Sequence, residues 1–326
     1  MRSALILGYH SIMASAAADP IGRDLVVTAA RFRQHMEILA RRFTVVPLDV
    51  LVARVATRSS ADGMAAVTFD DGYADNYHCA FPILSQMGIP AAIFLVTENV
   101  EHGRPFWTER LAWHLCRHAG TSLPIPVELG AHADLASVEH RRHAYRELRA
   151  RLEAMGDGSR REVLVDALGA GDPPHGHPLT WGQIRRMQQG GIAFGAHTRT
   201  HPSLPTLSDT VLCEEIEASR DLIAARLATQ PIVFAYPFGH VDERVRRAVE
   251  RAGFRGAVTV RQGPCAPKIP LLLVPRLMVA DWEAADFASR LDMFGTTIER
   301  ARHFALTLKA RVPRRVREVY RAVRRR

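Results

Sequence analysis

The chain has 326 residues, of which 47% are hydrophobic and 24% are charged, so it has the composition of a globular protein and not that of a disordered or fibrous one. Its formal net charge is +9, but nine basic residues and one acidic residue within 309–326 account for +8 of that charge. The nearly neutral remainder argues against a DNA-reading surface, and four widely spaced cysteines argue against a disulfide framework or a sulfur-bound metal.

The first predicted element is a strand over residues 5–9, which is followed by His10. We do not expect a secretion signal, because Gly8, Tyr9 and His10 interrupt the N-terminal apolar segment. No apolar run reaches the about 18 residues of a membrane-spanning helix, so the prediction is a cytoplasmic protein.

Two adjacent carboxylates follow the second predicted strand, Val67–Phe69, and precede Gly72. At the end of a strand the alternation of side chains breaks, so Asp70 and Asp71 can point into one cavity. Two ionised carboxylates side by side repel each other, and one of them must be neutral or matched by a cation. A divalent metal on one would let the other stay ionised as a base. The competing interpretation is a solvated turn in which Asp caps a helix.

Strands and helices alternate along most of the remaining chain. The predicted strands lie near residues 5, 67, 91, 193, 233, 257 and 276, and helices are predicted over 29–42, 77–87, 208–227 and 242–252. This alternation predicts an α/β fold with a parallel sheet that closes into a barrel. The candidate polar residues fall at the C-terminal ends of the strands, where a parallel barrel builds its active site.

A helical insertion over about 103–180 interrupts the alternation. Helices are predicted over 107–118, 137–155 and 159–168, the last opened by a capping box at Ser159 and Glu162. The insertion is either a structural elaboration or a lid that shapes the substrate cleft. Its histidines have no ligand spacing and are predicted to be surface residues: His132, His140, His143, His175 and His177.

Two histidines follow the predicted strand near residue 193, and they complete a candidate metal site. His197 and His201 are four positions apart, and Pro202 biases His201 away from a helix, so the pair is expected on a loop. Two imidazoles and one carboxylate are a common ligand set for a catalytic zinc with one open position, and the same set accepts cobalt or nickel.

Three segments together resemble one known family. Thr68–Gly72, His197–Pro202 and Phe234–Gly239 are similar, in this order, to the motifs of the polysaccharide deacetylase family, also called the NodB-homology or carbohydrate esterase family 4 domain. The resemblance runs from about residue 5 to about residue 279, apart from the insertion. It implies a distorted (β/α)7-type barrel and a metal-dependent removal of N-acetyl groups from amino sugars.

Carried over to this chain, the family motifs imply a role for each polar residue. Asp70 would be the catalytic base. The metal ligands would be Asp71, His197 and His201. In the family a backbone amide of the third motif stabilises the oxyanion, which here corresponds to the region of Tyr236 and Phe238.

Two positions depart from the family pattern. The third motif usually begins with an Arg that steadies the catalytic Asp, but this chain has Ala235 there. We predict that Arg276, which enters the last strand, substitutes for it. The late Leu-x-x-His element that supplies the general acid is also missing. His10 is the predicted replacement because it ends the first strand, although a structural role is open, and His240 is a weaker rival.

The sequence therefore predicts a hydrolase that removes N-acetyl groups from N-acetylhexosamine units of a polysaccharide, an oligosaccharide or a lipid-linked sugar, with zinc as the expected metal. A catalytically inactive glycan-binding relative is the alternative. Asp70 and the three metal ligands are all present, which favours the enzyme.

The C-terminal residues 291–326 are predicted to form a basic tail beyond a barrel domain of residues 1–290. Within 309–326 the apolar residues recur at helical spacing, with arginines on the other face. They are Val312, Val316, Val319, Tyr320 and Val323. A helix of this kind can lie on an anionic membrane surface, and the competing interpretation is a solvated tail.

Overall fold

A computed structural model describes residues 3–15, 21, 25–130, 132–155, 158–169, 171–265 and 269–295. The predicted membrane-contacting helix over 309–326 lies outside these residues. None of the helices within the described ranges has the length and apolar character needed to cross a membrane.

Seven parallel strands form the central sheet. They are β1 Leu5–Tyr9, β2 Met64–Phe69, β3 Ala91–Leu95, β4 Ala193–Ala196, β5 Val233–Ala235, β6 Gly256–Val258 and β7 Leu277–Met278. Their order across the sheet is β6-β5-β4-β3-β2-β1-β7, and a two-residue strand, Thr44–Val45, pairs with β2 beside this path. All seven predicted strands are confirmed, as is their parallel arrangement.

The sheet curls so that its two ends approach each other at the last strand. β7 pairs with β1 through Leu7 and Leu277. Just before β7, Val274 donates its N–H to Ala257 O at 2.9 Å and accepts from Thr259 N at 2.9 Å. One short segment therefore contacts both edges of the sheet, which confirms the distorted barrel.

Eleven helices surround or extend the sheet within the described ranges. They are α1 Ala29–Arg42, α2 Leu48–Ala56, α3 Phe81–Met87, α4 Thr97–His102, α5 Trp107–Arg117, α6 Val138–Glu153, α7 Gly158–Asp166, α8 Trp181–Gln189, α9 Asp209–Leu227, α10 Glu243–Arg251 and α11 Ala284–Gly295. A π-helical turn, Asn76–Ala80, precedes α3, so the helix predicted over 77–87 begins with a wider turn. Side chains of Ser137 and Asp242 accept an N–H three residues ahead and so fix the starts of α6 and α10.

Short strands and four 3-10 turns, Val127–Leu129, Leu204–Thr206, Pro237–Gly239 and Leu271–Leu273, make up the remaining secondary structure of the described ranges. Ser11–Met13 pairs with Val26–Thr28, and Ser122–Pro124 pairs with His132–Asp134. These strands, together with helices α2, α4, α8 and α11, are absent from the sequence prediction.

The predicted domain boundary at residue 290 falls inside α11. Phe287 and Leu291 of this helix are fully buried and pack with the main core. The helix therefore belongs with the barrel, because its apolar side covers surface that the barrel would otherwise expose.

Separate apolar clusters fill the barrel and the insertion. Inside the barrel, Ala66, Ala92 and Ala235 pack with Phe94, and these small side chains leave space in the interior. The insertion has its own core, formed by residues of α5, α6, α7 and the short strands. The insertion is thus a packed unit and not a set of loops.

Candidate active site

The polar residues singled out in the sequence meet at the C-terminal ends of the strands. His10 follows β1, Asp70 and Asp71 follow β2, His197 follows β4 and Tyr236 follows β5. They line one cavity of about 290 Å³. Parallel barrels place their active sites at this end of the sheet.

Asp70 is held by a buried cation from the residue just before β7, the last strand of the sheet in the chain. Arg276 donates from both terminal nitrogens to the two oxygens of Asp70 at 2.7 Å each. Arg276 also donates to Thr68 Oγ1 and to Thr259 O, and it is 0% exposed. Burial alone would raise the pKa of Asp70, but the charge and hydrogen bonds of Arg276 outweigh it and hold that pKa well below its usual range. Asp70 is therefore ionised at neutral pH.

Asp71 has no such partner. Its Oδ1 atom is buried and accepts no hydrogen bond from any described residue. Burial, and next the charge of Asp70, raise the pKa of Asp71 to about 8. A buried carboxylate of this kind lacks a cation, and a divalent metal would supply one.

The two histidines of the second motif face this oxygen. The Nε2 atoms of His197 and His201 lie 3.5 and 3.4 Å from Asp71 Oδ1 and 3.2 Å from each other. Zinc bonds of about 2.0–2.1 Å in a tetrahedral site place neighbouring ligand atoms about 3.3–3.4 Å apart. These residues, one Asp and two His, also form the candidate metal group of the described chain. The triangle therefore fits a small divalent metal.

The state of each imidazole suits ligation. His197 Nδ1 lies 2.8 Å from Ala235 O, and since a carbonyl only accepts, Nδ1 carries the proton and Nε2 keeps its lone pair. Burial lowers the pKa of His197 and of His201, so both are neutral at physiological pH. Ala235 thus contributes a carbonyl where the family motif has an Arg side chain.

Backbone strain is concentrated around this triangle. Of six non-glycine residues with positive φ in the described ranges, four lie in the site loops: Asp71, Thr198, His201 and Phe238. Gly72 has φ +77°, as the sequence predicts, and a side chain on it would collide with β3. Strained conformations persist only where the surrounding structure holds them, which is typical of functional sites.

His10 lies next to Asp70. Its Nε2 is 3.8 Å from Asp70 Oδ2, and Asn76 holds the backbone by donating to His10 O at 2.8 Å. Burial lowers the pKa of His10 to about 4, although the charge of Asp70 opposes the shift. The rival His240 contacts Ser203 Oγ at 3.0 Å instead and does not line the cavity.

The two aromatic residues of the third motif differ in their availability. Tyr236 donates its hydroxyl to Leu272 O at 2.9 Å and its N–H to Val258 O at 3.3 Å, so both donors are used within the barrel. Phe238 packs its ring edge-on against His201, with ring centres 4.5 Å apart. The structure therefore does not support Tyr236 as the donor to an oxyanion.

The insertion supplies one wall of the cavity, which sequence motifs do not reveal. The lining residues from its helices and their approaches are Phe106, Trp107, Thr108, Glu109, Tyr145, Arg149 and Glu153. None of the five insertion histidines singled out in the sequence lines the cavity, and neither do His114 and His118; all seven are within the described ranges. This placement favours an insertion that shapes the substrate cleft over a remote elaboration.

Comparison with known proteins identifies similar sequences and folds. A sequence model of the polysaccharide deacetylase family matches residues 57–257. YxkH of Bacillus subtilis (strain 168), which carries a provisional name as a polysaccharide deacetylase, is 22% identical over 277 residues, 84% of this chain and 71% of YxkH.

Solved structures show the same fold at low identity. The Streptococcus pyogenes deacetylase PplD, solved with acetate, has a TM-score of 0.62 at 18% identity and covers 90% of this chain and 98% of its own. A de-N-acetylase from Aggregatibacter actinomycetemcomitans has a TM-score of 0.56 at 16% identity, and the match covers 88% of this chain and 99% of the de-N-acetylase. These similarities establish the fold. The chemistry is inferred from the residues of the site.

Proposed function

Because the chain belongs to the polysaccharide deacetylase family, we propose that it hydrolyses N-acetyl groups on N-acetylhexosamine units of a polysaccharide, an oligosaccharide or a lipid-linked sugar. The proposal includes a divalent metal, with zinc favoured and cobalt or nickel as substitutes. One observation carries it: Asp70 is paired with Arg276 beside a triangle of Asp71, His197 and His201, in which the buried Asp71 Oδ1 accepts no hydrogen bond from the described part of the chain.

Asp70 is the base in this proposal. A divalent metal bound by Asp71, His197 and His201 would supply Lewis-acid chemistry that polarises the amide carbonyl and makes water more acidic. Asp70 takes the proton of the attacking water, since it is ionised and its carboxylate lies at the cavity wall. Arg276 keeps Asp70 ionised and in place; its partners are Asp70 and barrel atoms, so we assign it no direct contact with substrate.

His10 is the proposed acid for the leaving nitrogen. With a pKa of about 4 it is neutral at rest. The proton it donates must therefore be the one that Asp70 removes from water. That proton passes from Asp70 to His10, whose side chains lie 3.8 Å apart and move closer during the reaction. Water thus loses one proton and the nitrogen gains one, so cleavage of the carbon–nitrogen bond leaves acetic acid and an amine. The proton of the acid then passes to the amine, which gives acetate and an ammonium group.

The oxyanion donor is assigned to the backbone of Phe238. The N–H of Tyr236 is bonded to β6, and Pro237 has no N–H. The next N–H along the chain is that of Phe238, whose positive φ places it at a sharp turn beside His201. A fixed backbone donor of this kind stabilises charge that develops on a carbonyl oxygen.

Acetate release with metal analysis of the same sample tests the function. The purified chain is incubated with acetylated chitooligosaccharides, peptidoglycan fragments, an exopolysaccharide and a lipid-linked N-acetylhexosamine. We expect acetate from at least one, about one metal per chain, and no acetate from Asp70→Asn. Glycan binding without acetate release from any substrate would instead favour the inactive glycan-binding alternative, and full activity without metal would refute the metal assignment.

We also propose that residues 309–326 bind an anionic membrane surface, where each basic residue contributes about 1 kcal/mol. The proposal rests on the apolar spacing and the +8 charge of this segment alone. Co-sedimentation with vesicles that contain anionic lipid should require the tail and weaken as salt rises, when the full chain is compared with one that ends at Thr307. Equal sedimentation of both would exclude this role.

A further inference from the structure

The loop that carries His201, residues 197–201, is hydrogen-bonded from two sides by buried charged residues. His201 and Thr198 both have positive φ, so this loop does not hold its shape by local preference alone. We propose that Arg161, on helix α7 of the insertion, is a positioning residue that fixes His201 for metal binding. The inference rests on the proposed function, in which His201 is a metal ligand.

Arg161 reaches the backbone of the ligand loop directly. Its two terminal nitrogens donate to His201 O at 3.2 Å and to Thr200 O at 2.5 Å. The side chain is 1% exposed, and its guanidinium lies 5.0 Å from the ring centre of Trp107 at the cavity wall. A buried charge is costly unless it is well bonded, so this placement gives Arg161 a defined task.

The opposite charge holds the other side of the same loop. Glu215 of α9 is 5% exposed and accepts from Thr200 N at 2.8 Å and from Thr200 Oγ1 at 2.7 Å. It also accepts from Arg199 N at 3.0 Å. Two N–H groups of the loop thus face an anion from the barrel, and its last two carbonyls, those of Thr200 and His201, face a cation from the insertion. Charge-assisted hydrogen bonds of this type are about twice as strong as neutral ones.

Loss of the cation would remove the side-chain donors of two carbonyls on half-buried residues, one of which, His201, is in a strained conformation. The loop would then relax, and the Nε2 atom of His201 would leave the triangle of 3.2–3.5 Å that it forms with His197 and Asp71. Metal–ligand bonds tolerate deviations of only about 0.2 Å. Small movements of this loop therefore translate into lost metal affinity.

It follows that the insertion does more than line the cleft. It also completes the support of one metal ligand, and the barrel loop and helix α7 depend on each other. The family motif containing His201 does not predict this dependence, because the donor lies 40 residues earlier in the chain.

The experiment compares Arg161→Met with Arg161→Lys and with a matched control, Arg141→Met. Arg141 of α6 also donates to backbone carbonyls, those of Leu115 and His118, but it does so within the insertion. Zinc affinity is measured by competition with a chromogenic chelator, ligand geometry by the visible absorption of the cobalt-loaded protein, and folding by circular dichroism.

We expect Arg161→Met to weaken zinc binding by about 10–100-fold, the usual effect of removing an outer-shell partner. Its cobalt spectrum should change as well. Arg161→Lys should recover part of the affinity, since an ammonium can donate to one carbonyl, and Arg141→Met should bind zinc and cobalt as the wild type does. If Arg161→Met does not fold, the Lys variant decides, and it is expected to bind less tightly than the wild type.

Wild-type affinity and an unchanged cobalt spectrum in a folded Arg161→Met or Arg161→Lys protein would overturn this inference but not the proposed function. An equal loss of affinity in Arg141→Met would overturn it too, because general damage to the insertion would then explain the effect. A wild-type chain that binds neither zinc nor cobalt would refute the metal site of the proposed function, and the inference with it.

Discussion

The buried pair of Asp70 and Arg276 makes a quantitative prediction about the variant Arg276→Met. Both oxygens of Asp70 are bonded at 2.7 Å, and the two residues are 2% and 0% exposed. Removing one partner of such a pair leaves an uncompensated buried charge, which costs about 3–5 kcal/mol. Proteins are typically stable by about 5–15 kcal/mol, so this loss is a large share of the total. Arg276→Lys, which keeps a positive charge, is therefore prepared in parallel in case the Met variant does not fold.

The same variant predicts a pH dependence with a definite sign. In the wild type the pKa of Asp70 is depressed, so the contribution of the pair is complete above the unfolded value of about 3.9 and is lost only as pH falls through the folded value. In Arg276→Met the largest opposing influence on Asp70 is gone, so burial raises that pKa above the unfolded value. The stability loss should then grow as pH rises from about 4 towards neutrality.

Urea unfolding of metal-free wild type and variant at acidic and neutral pH measures the loss of stability and its dependence on pH. The variant should lose about 3–5 kcal/mol at neutral pH and less at acidic pH, and the acid limb of its kcat/KM profile should move to higher pH. Arg110→Met is the control, because Arg110 is also buried but its partner Glu162 is 26% exposed on its side chain and can regain water. A loss below about 1 kcal/mol, as for a surface pair, or an unshifted acid limb would refute the reasoning.

Three further predictions concern the remaining residues. His197→Ala or His201→Ala should lose tight metal binding and most activity while circular dichroism stays unchanged, since both ligands lie on loops; full activity without metal would contradict this. Asp70→Asn should keep the metal and lose acetate release, whereas Asp71→Asn should lose metal first, and the reverse pattern in metal analysis would exchange their roles. His10→Ala should lower kcat by about 10²-fold or more with little change in KM, and an unchanged kcat would leave His10 with a structural role.

The sequence predicts the barrel well because its strands are short apolar runs between turns. β2 and β3 are fully buried along most of their length, and such runs differ clearly from the amphipathic helices between them. Three of the four helices that were not predicted, α2, α4 and α8, are short, with 9, 6 and 9 residues. One of them, α8, carries a capping box of Thr180 and Gln183 that marks its start, so a signal for it was present.

The sequence predicts the metal triangle for a different reason. Asp71 and His197 follow β2 and β4, the two neighbours of β3, so the strand ends bring them to the same end of the barrel whatever the details of the loops. The supporting residues follow no such rule. Arg161, Glu215 and Arg149 lie on helices, and helical periodicity shows which side of a helix is apolar but not which part of the barrel its polar residues meet.

Arg276 shows how the same electrostatic requirement is met from another part of the chain. Position 235, where the family motif has its Arg, and position 276 are remote in sequence. Both positions nevertheless border the barrel interior beneath Asp70. The interior alanines leave room for the longer approach, with Arg276 passing 5.8 Å from the ring centre of Phe94. What the site requires is a buried cation at Asp70, and the strand that delivers it is secondary.

The requirement explains why two neighbouring carboxylates take different roles. Both are buried, so each needs a positive charge to remain ionised. The chain gives one of them its own cation, which holds the pKa of Asp70 below its usual range, and leaves the other with a pKa of about 8 and a free oxygen. A base must stay available to accept a proton, whereas a metal ligand gives its charge to the metal. In the proposed mechanism, the placement of Arg276 therefore decides which Asp serves as the base and which binds the metal.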